Sequence, residues 1–125
     1  MLVSQVKDEA RYLLNDEGAS PRISNTKLIQ WVDQGQDDAL SWRPDLAASA
    51  DGSGTLTPDV ITGGAKTEEQ QLATALLLPD KLLSAMGSYV AYRALRADNS
   101  DVGNLAAANV FYVSYLTELR GFQVK

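Results

Sequence analysis

The sequence contains neither cysteine nor histidine among its 125 residues. Without cysteine there can be no disulfide bond and no thiolate metal site. Without histidine the chain lacks the side chain that most often serves as a general base and as a metal ligand, so any metal site would need oxygen ligands alone. We therefore expect no Ser-His-Asp triad, no bound cofactor and no metal.

Long apolar runs and clusters of basic residues are also missing. No stretch approaches the roughly 20 apolar residues of a membrane-spanning helix. The first residues, MLVSQVKDEA, lack the basic and apolar regions of a signal peptide. With 11 Lys and Arg against 16 Asp and Glu, the net charge is -5, which disfavours binding to nucleic-acid phosphates. These features predict a soluble protein made in the cytoplasm.

What the sequence does contain is the composition of one folded domain. Hydrophobic residues form 45% of the chain and charged residues 22%. This balance provides enough apolar surface to offset the chain entropy lost on folding, and the length suits one core. We expect residues 1–125 to form a single domain.

Apolar residues recur at intervals of three and four in four segments, as they do along one face of a helix. The predicted helices cover residues 2–16, 25–42, 80–97 and 102–119. In the last of them, the predicted seam against another helix consists of Val102, Leu105, Asn109, Tyr112, Leu116 and Leu119. Tyrosines at matching i,i+3 positions in the last two helices favour contact between these helices.

The second predicted helix carries a glycine on its apolar face. Ser24 or Asn25 can cap its start, and Pro44 disfavours helical geometry beyond Trp42. Gly35 costs about 1 kcal/mol relative to alanine in a helix interior, so we expect a neighbouring helix to approach closely there. Trp42 continues the apolar stripe, which favours core packing over the stacking of nucleic-acid bases.

Residues 47–78 differ from the helical segments. They are rich in Gly, Ser, Thr and Ala, with short β-prone runs TLT and VIT. Thr67 and Gln70 fit a helix capping box, whereas LLLP suits an extended chain. The predicted fold is mainly α: a four-helix bundle-like domain with a β-hairpin or long loop insertion at about 47–78 and an extended C-terminal tail.

No pattern of residues predicts a catalytic site. Asp37 with Asp38 and Glu68 with Glu69 are the adjacent carboxylate pairs. Neighbours on a helix point about 100° apart, so neither pair faces across a substrate as a glycosidase requires. The stretch DGSGT lacks the lysine of a phosphate-binding loop and the spacing of a calcium loop, and is typical of a turn. We therefore expect a binding or assembly protein and not an enzyme.

Two stretches of the sequence resemble the head–tail adaptor (connector) proteins of tailed double-stranded DNA phages and prophages. The first, RISNTKLIQWVDQGQDDALSWRPD, has the family's basic residue, capped helix with a central tryptophan and Arg-Pro-Asp ending. The second, LPDKLLSAMGSYVAYRALRADNSDVGNLAAANVFYVSYLTEL, is similar to the family's last two helices. Ile23 stands where the family has an aromatic residue, and residues 47–78 match the family only in location.

The resemblance implies a non-enzymatic virion protein at the head–tail junction. Such proteins form a ring, usually dodecameric, beneath the portal protein after DNA packaging. DNA passes through the ring, and tail or nozzle proteins dock on it. The family's C-terminal end often docks on the portal, which points to Arg120, Phe122, Val124 and Lys125; for subunit contacts we predict Arg22, Asp33, Asp37 and Arg43.

Two other classes of function remain open from the sequence. One is a virion-associated, peptidoglycan-degrading adaptor resembling a muramidase, in which Asp37 or Asp38 would oppose another acid. The other is a small helical regulatory or nucleic-acid-binding protein, which the net charge disfavours. The C-terminal GFQVK is also consistent with a frayed terminus, and the two arginines flanking the second helix with plain surface charge.

Overall fold

The structure is a computed structural model that describes residues 1–18, 21–48, 54–62, 64–98 and 102–123. The described chain is mainly helical, which confirms the predicted fold class at that level. Its helices are α1 (Val3–Leu13), α2 (Asn25–Trp42), α3 (Glu68–Leu72), α4 (Leu83–Ala97) and α5 (Val102–Gly121). Short 3-10 helices at Pro44–Ala47 and Asp80–Leu82 follow α2 and precede α4.

Helix α4 is the centre of the fold and contacts α1, α2 and α5. The seven consecutive residues 85–91 are all buried. A helix buried on every side needs small or apolar side chains around its whole circumference, and the segment AMGSYVA provides them. The core formed around α4 also includes Val6 of α1, Val32 of α2 and Leu119 of α5.

Gly35 lies at the contact between α2 and α4, as predicted. A Cβ atom at this position would lie 2.7 Å from Cδ1 of Tyr89 and 3.0 Å from Cε of Met86. The absent side chain therefore lets the two helices approach, and burial of Tyr89 compensates for the low helix propensity of glycine.

A buried polar network connects α1 to the start of α2. The Arg11 guanidinium donates to Oδ2 of Asp16 at 2.9 Å, to the Ile23 carbonyl at 2.9 Å and to Oδ1 of Asn25 at 2.6 Å. Asp16 also accepts from the backbone N–H groups of Arg22 and Ile23. Because each charged group has several partners, the network can remain buried and fixes the connection between the helices.

The insertion at 47–78 was predicted to be either a β-hairpin or a long loop. Its described residues form no strand, so the β-hairpin is not supported. The β-prone run contributes one isolated bridge, between Ala48 and Thr55. Ile61, 1% exposed, attaches the segment to the core, and Pro58, which lacks an N–H, cannot donate in a strand ladder.

The second half of the insertion contains α3. Thr67 and Gln70 form the predicted capping box, in which the Thr67 hydroxyl accepts from the Gln70 backbone and the Gln70 side chain accepts from the Thr67 backbone. After α3 the chain leaves the helix and forms one bridge, between Leu2 and Ala75, before a bend at Leu77 and Leu78. The capping box is therefore confirmed, and the LLLP stretch is non-helical but bent.

Two predictions of buried helix faces were wrong at some of their residues. Trp42 is 47% exposed because α2 ends there and the chain turns away into the 3-10 helix. In α5, Leu105 is 51% exposed and Asn109 is exposed, while Ala108 and Tyr115 are buried. The seam holds at Leu119, which is buried, and at Tyr112 and Leu116, which pack against the core, while the side chain of Val102 lies outside the described residues. Apolar residues occur all around α5, so its spacing pattern identified the packed side only in part.

Candidate interaction surfaces

Helix α5 exposes an apolar surface to solvent. Leu105, Val110 and Val113 are 51%, 68% and 62% exposed, and Ala106 and Thr117 are exposed beside them. At 100° per residue these five positions span an arc of about 140° on one side of the helix. We call them the outer face of α5. The exposed Asn109 lies within the same arc. No charged residue occurs between positions 102 and 117, so the outer face is a neutral and largely apolar strip.

The C-terminal end of α5 is attached to the end of α2 by one arginine. The Arg43 guanidinium donates to the carbonyls of Leu119 and Phe122, each at 2.7 Å, and forms a two-bond salt bridge with Asp45. The hydrogen bond to Asp45 raises the pKa of Arg43, and the same bond lowers the pKa of Asp45. The last carbonyls of a helix have no hydrogen-bond donor within the helix. The Arg43 guanidinium provides that donor at the end of α5.

Three of the residues predicted to bind other proteins meet at this junction. Arg120 lies over the ring of the exposed Trp42, with 5.2 Å between its Cζ atom and the ring centroid. Phe122 is partly buried against the core, and its carbonyl contacts Arg43. Val124 and Lys125 lie outside the described residues. The roles of these side chains in portal docking, and of Arg43 in subunit contacts, remain predictions.

The other predicted interface residues are spread along α2. The side chain of Arg22 is 76% exposed, and its Nε lies 3.8 Å from Oδ1 of Asp16. Asp33 accepts a hydrogen bond from the Thr62 hydroxyl at 2.7 Å, which attaches the insertion to α2. Asp37 is exposed, and its pKa is raised by partial burial and by the nearby charge of Asp33. Arg22 and Arg43 flank a helix about 27 Å long, so the structure does not bring them together.

Asp38, next to Asp37, points into the fold. Its Oδ2 accepts a hydrogen bond at 2.8 Å from the hydroxyl of Tyr115, a fully buried residue. Burial and then Asp38 itself raise the pKa of Tyr115, which therefore keeps its proton and remains a donor. The two adjacent aspartates thus have different surroundings, one in solvent and one in an interhelical contact.

The four tyrosines of α4 and α5 form a ring cluster, as their spacing predicted. The ring centroids of Tyr89 and Tyr115 are 5.1 Å apart, and those of Tyr92 and Tyr112 are 4.6 Å apart. Tyr89 also contacts Tyr92, at 5.9 Å. Tilted and edge-to-face pairs of this kind stabilise aromatic packing, so the cluster fixes the crossing of the two helices.

A pocket beside this cluster was not foreseen from the sequence. Tyr92 and Tyr112 line it with Trp31 of α2, and Arg93 and Arg96 border it. The stretch YVAYRALR indicates part of this pocket, because it places each arginine four residues after a tyrosine and hence on the same side of the helix. The contribution of Trp31 depends on tertiary packing and has no such signal.

Among the described helices, none combines the length and apolar character needed to cross a membrane. Within the same residues, no three acidic side chains converge in an arrangement that could hold a metal ion. Comparison with known proteins matched no family model, no curated protein and no solved structure.

Proposed function

We propose that the chain is a structural virion protein, a head–tail adaptor that forms a ring on the portal after DNA packaging. It extends the DNA channel and provides the docking platform for tail proteins. The observation that carries the proposal is the outer face of α5. A helix with apolar residues around most of its circumference is normally buried on most sides, whereas the described residues cover α5 on one side alone.

A closed ring needs two different surfaces on each subunit, because each copy contacts its two neighbours through opposite patches. The outer face of α5 provides an apolar surface. The carboxylates of Asp33 and Asp37 on α2, with Arg22 near the start of that helix, provide a charged and chemically different one. In the proposal, Arg120 and Phe122 at the end of α5 meet the portal, and Arg43 beside them contacts a neighbouring subunit.

The charge of the chain suits the lining of a DNA channel. DNA has to slide through the ring during packaging and ejection without being held. A chain with a net charge of -5 repels phosphate groups and forms few of the ion pairs that retain DNA-binding proteins on a duplex.

The test is to mix the purified chain with a purified phage portal protein from the same genome and to image the mixture by electron microscopy. The proposal predicts an added ring of density on one end of the portal, along its axis, and the presence of the chain in purified virions by mass spectrometry. A portal that stays bare, together with virions that lack the chain, would contradict the proposed function.

A further inference from the structure

The pocket beside the tyrosine cluster is a preformed cavity between three helices. It has a volume of about 410 Å³, enough for one or two amino-acid side chains. One wall is the pair of rings Tyr92 and Tyr112, and Trp31 of α2 also lines the pocket. Because the rings pack against the buried Tyr89 and Tyr115, this aromatic wall is held in place without a ligand.

The two arginines at the pocket are bonded differently from Arg11 and Arg43. Arg93 donates to the Tyr89 hydroxyl at 3.0 Å, and Arg96 donates to the Tyr92 hydroxyl at 2.8 Å. Within the described residues, neither forms a salt bridge, whereas Arg11 and Arg43 each bind a carboxylate. A guanidinium has five N–H donors, so one bond to a neutral hydroxyl leaves most of its binding capacity unused.

The pocket places two positive groups beside a rigid aromatic wall, although the chain as a whole has a net charge of -5. These groups define the chemistry of a complementary ligand. Carboxylates match the fork of donors on each guanidinium, and the aromatic lining of Trp31 and the tyrosine pair suits an aromatic side chain. Asp38 also lines the pocket, so a negative group is favoured beside the arginines and disfavoured beside this aspartate. The ligand should therefore carry separated carboxylates that reach Arg93 and Arg96, and a neutral ring that contacts the aromatic residues.

We propose that this pocket binds an acidic peptide segment of a partner protein, in which an aromatic residue is flanked by Asp or Glu. The aromatic side chain enters between Trp31 and Tyr112, and the flanking carboxylates bind Arg93 and Arg96. The site is complete within one chain, so this inference goes beyond the adaptor function and does not depend on ring formation.

The test uses the blocked peptide Gly-Glu-Phe-Glu-Gly as the probe and the fluorescence of Trp31 as the signal. A Trp42→Phe background leaves Trp31 as the single tryptophan, and phenylalanine in the peptide does not interfere with its emission. We expect saturable binding with a Kd below about 1 mM. The neutral peptide Gly-Gln-Phe-Gln-Gly should bind at least about tenfold more weakly if the carboxylates are recognised.

The matched variants are Arg93→Gln with Arg96→Gln for the site and Lys81→Gln for the control. Lys81 is exposed and precedes α4 at the end opposite to Arg96. The double variant should weaken binding of the acidic peptide at least about tenfold, while Lys81→Gln should change it less than about twofold. Arg96→Gln alone, at an exposed position, replaces the double variant if circular dichroism shows that the latter has lost helicity.

Three results would overturn the inference. They are the absence of saturation up to about 5 mM peptide, equal affinity for the acidic and neutral peptides, and equal affinity of the site variant and the control. Tighter binding of single-stranded oligothymidylate at the same tryptophan would show instead that the pocket stacks nucleic-acid bases.

Discussion

Gly35 sets the distance between α2 and α4. Gly35→Ala would place a methyl group 2.7 Å from the Tyr89 ring, and that ring cannot move freely because Tyr92 and Tyr115 pack against it. We expect the free energy of unfolding to fall by about 1–3 kcal/mol through overpacking, although alanine alone favours a helix by about 1 kcal/mol. Urea unfolding followed by circular dichroism measures the change.

The control for this substitution is Gly121→Ala, in the last turn of α5. No atom lies within 4 Å of a Cβ added there, so the change should be neutral or slightly stabilising. Equal effects at the two glycines would show that Gly35 does not set the packing distance.

The buried carboxyl of Asp16 makes stability depend on pH. Burial by itself raises its pKa, but hydrogen bonds from the backbone N–H groups of Arg22 and Ile23 and the charge of Arg11 outweigh burial and lower it. The stability gained from a lowered pKa is fully present at pH values above the pKa of the carboxyl in the unfolded chain, about 3.9. It is lost as the pH falls through the pKa of the carboxyl in the folded chain. Asp16→Asn should therefore cost about 2–4 kcal/mol at pH 7 and progressively less below about pH 4.

Urea unfolding at several pH values compares Asp16→Asn with the unchanged chain. Asp8→Asn is the matched control, because the side chain of Asp8 is 70% exposed and pairs with Lys7 on the surface. That variant should differ by less than about 0.5 kcal/mol at any pH. A loss for Asp16→Asn that stays constant down to pH 2 would argue against the role given to its charge.

At the level of the elements, Arg43 holds the end of α5 against the end of α2. Arg43→Gln removes the bonds to the Leu119 and Phe122 carbonyls and the salt bridge to Asp45. We expect the free energy of local opening in the last turn of α5 to fall by about 1–3 kcal/mol. Hydrogen exchange of the α5 backbone amides measures this opening.

Arg22→Gln is the comparison for Arg43→Gln, since Arg22 is a largely exposed arginine whose nearest ion-pair contact is 3.8 Å. It should leave exchange in α5 unchanged. If Arg43→Gln also leaves it unchanged, the contact between these helix ends depends on apolar packing around Phe122 and not on the guanidinium.

Local chemistry in the sequence predicted much of the fold. The stripe of α2 as far as Ala39, its cap at Ser24 and its end before Pro44 hold in the structure. So does the capping box at Thr67, because these signals involve neighbouring residues alone. Trp42 shows the limit of such local signals. The last residue of an apolar stripe is covered only if a neighbouring helix extends beside it, and the local sequence does not determine that.

Helix α5 shows why the candidate surfaces were harder to predict. Both sides of this helix are apolar, so the 3.6-residue period did not distinguish the side that packs on α4 from the side that faces solvent. The tyrosine spacing was informative because aromatic rings mark the packed side of both helices. The pocket, which adds Trp31 from a distant part of the chain, required the tertiary arrangement.

At the level of the whole molecule, the chain has a rigid core around α4 and an apolar helix face that nothing within the described residues covers. We interpret this as one subunit of an assembly whose contacts are made in the virion. The central claim is therefore that the outer face of α5 becomes buried against a neighbouring subunit when copies of the chain assemble into a ring on the portal.

The most direct measurement exploits the absence of cysteine. Val113→Cys and Tyr12→Cys each introduce a single thiol at positions 62% and 65% exposed, on α5 and α1. Maleimide labelling of both should be fast in the isolated chain. On portal binding, labelling at 113 should slow at least about tenfold, as at the centre of an interface, and labelling at 12 should stay fast. Equal, fast labelling of both thiols in the portal-bound chain would contradict the account.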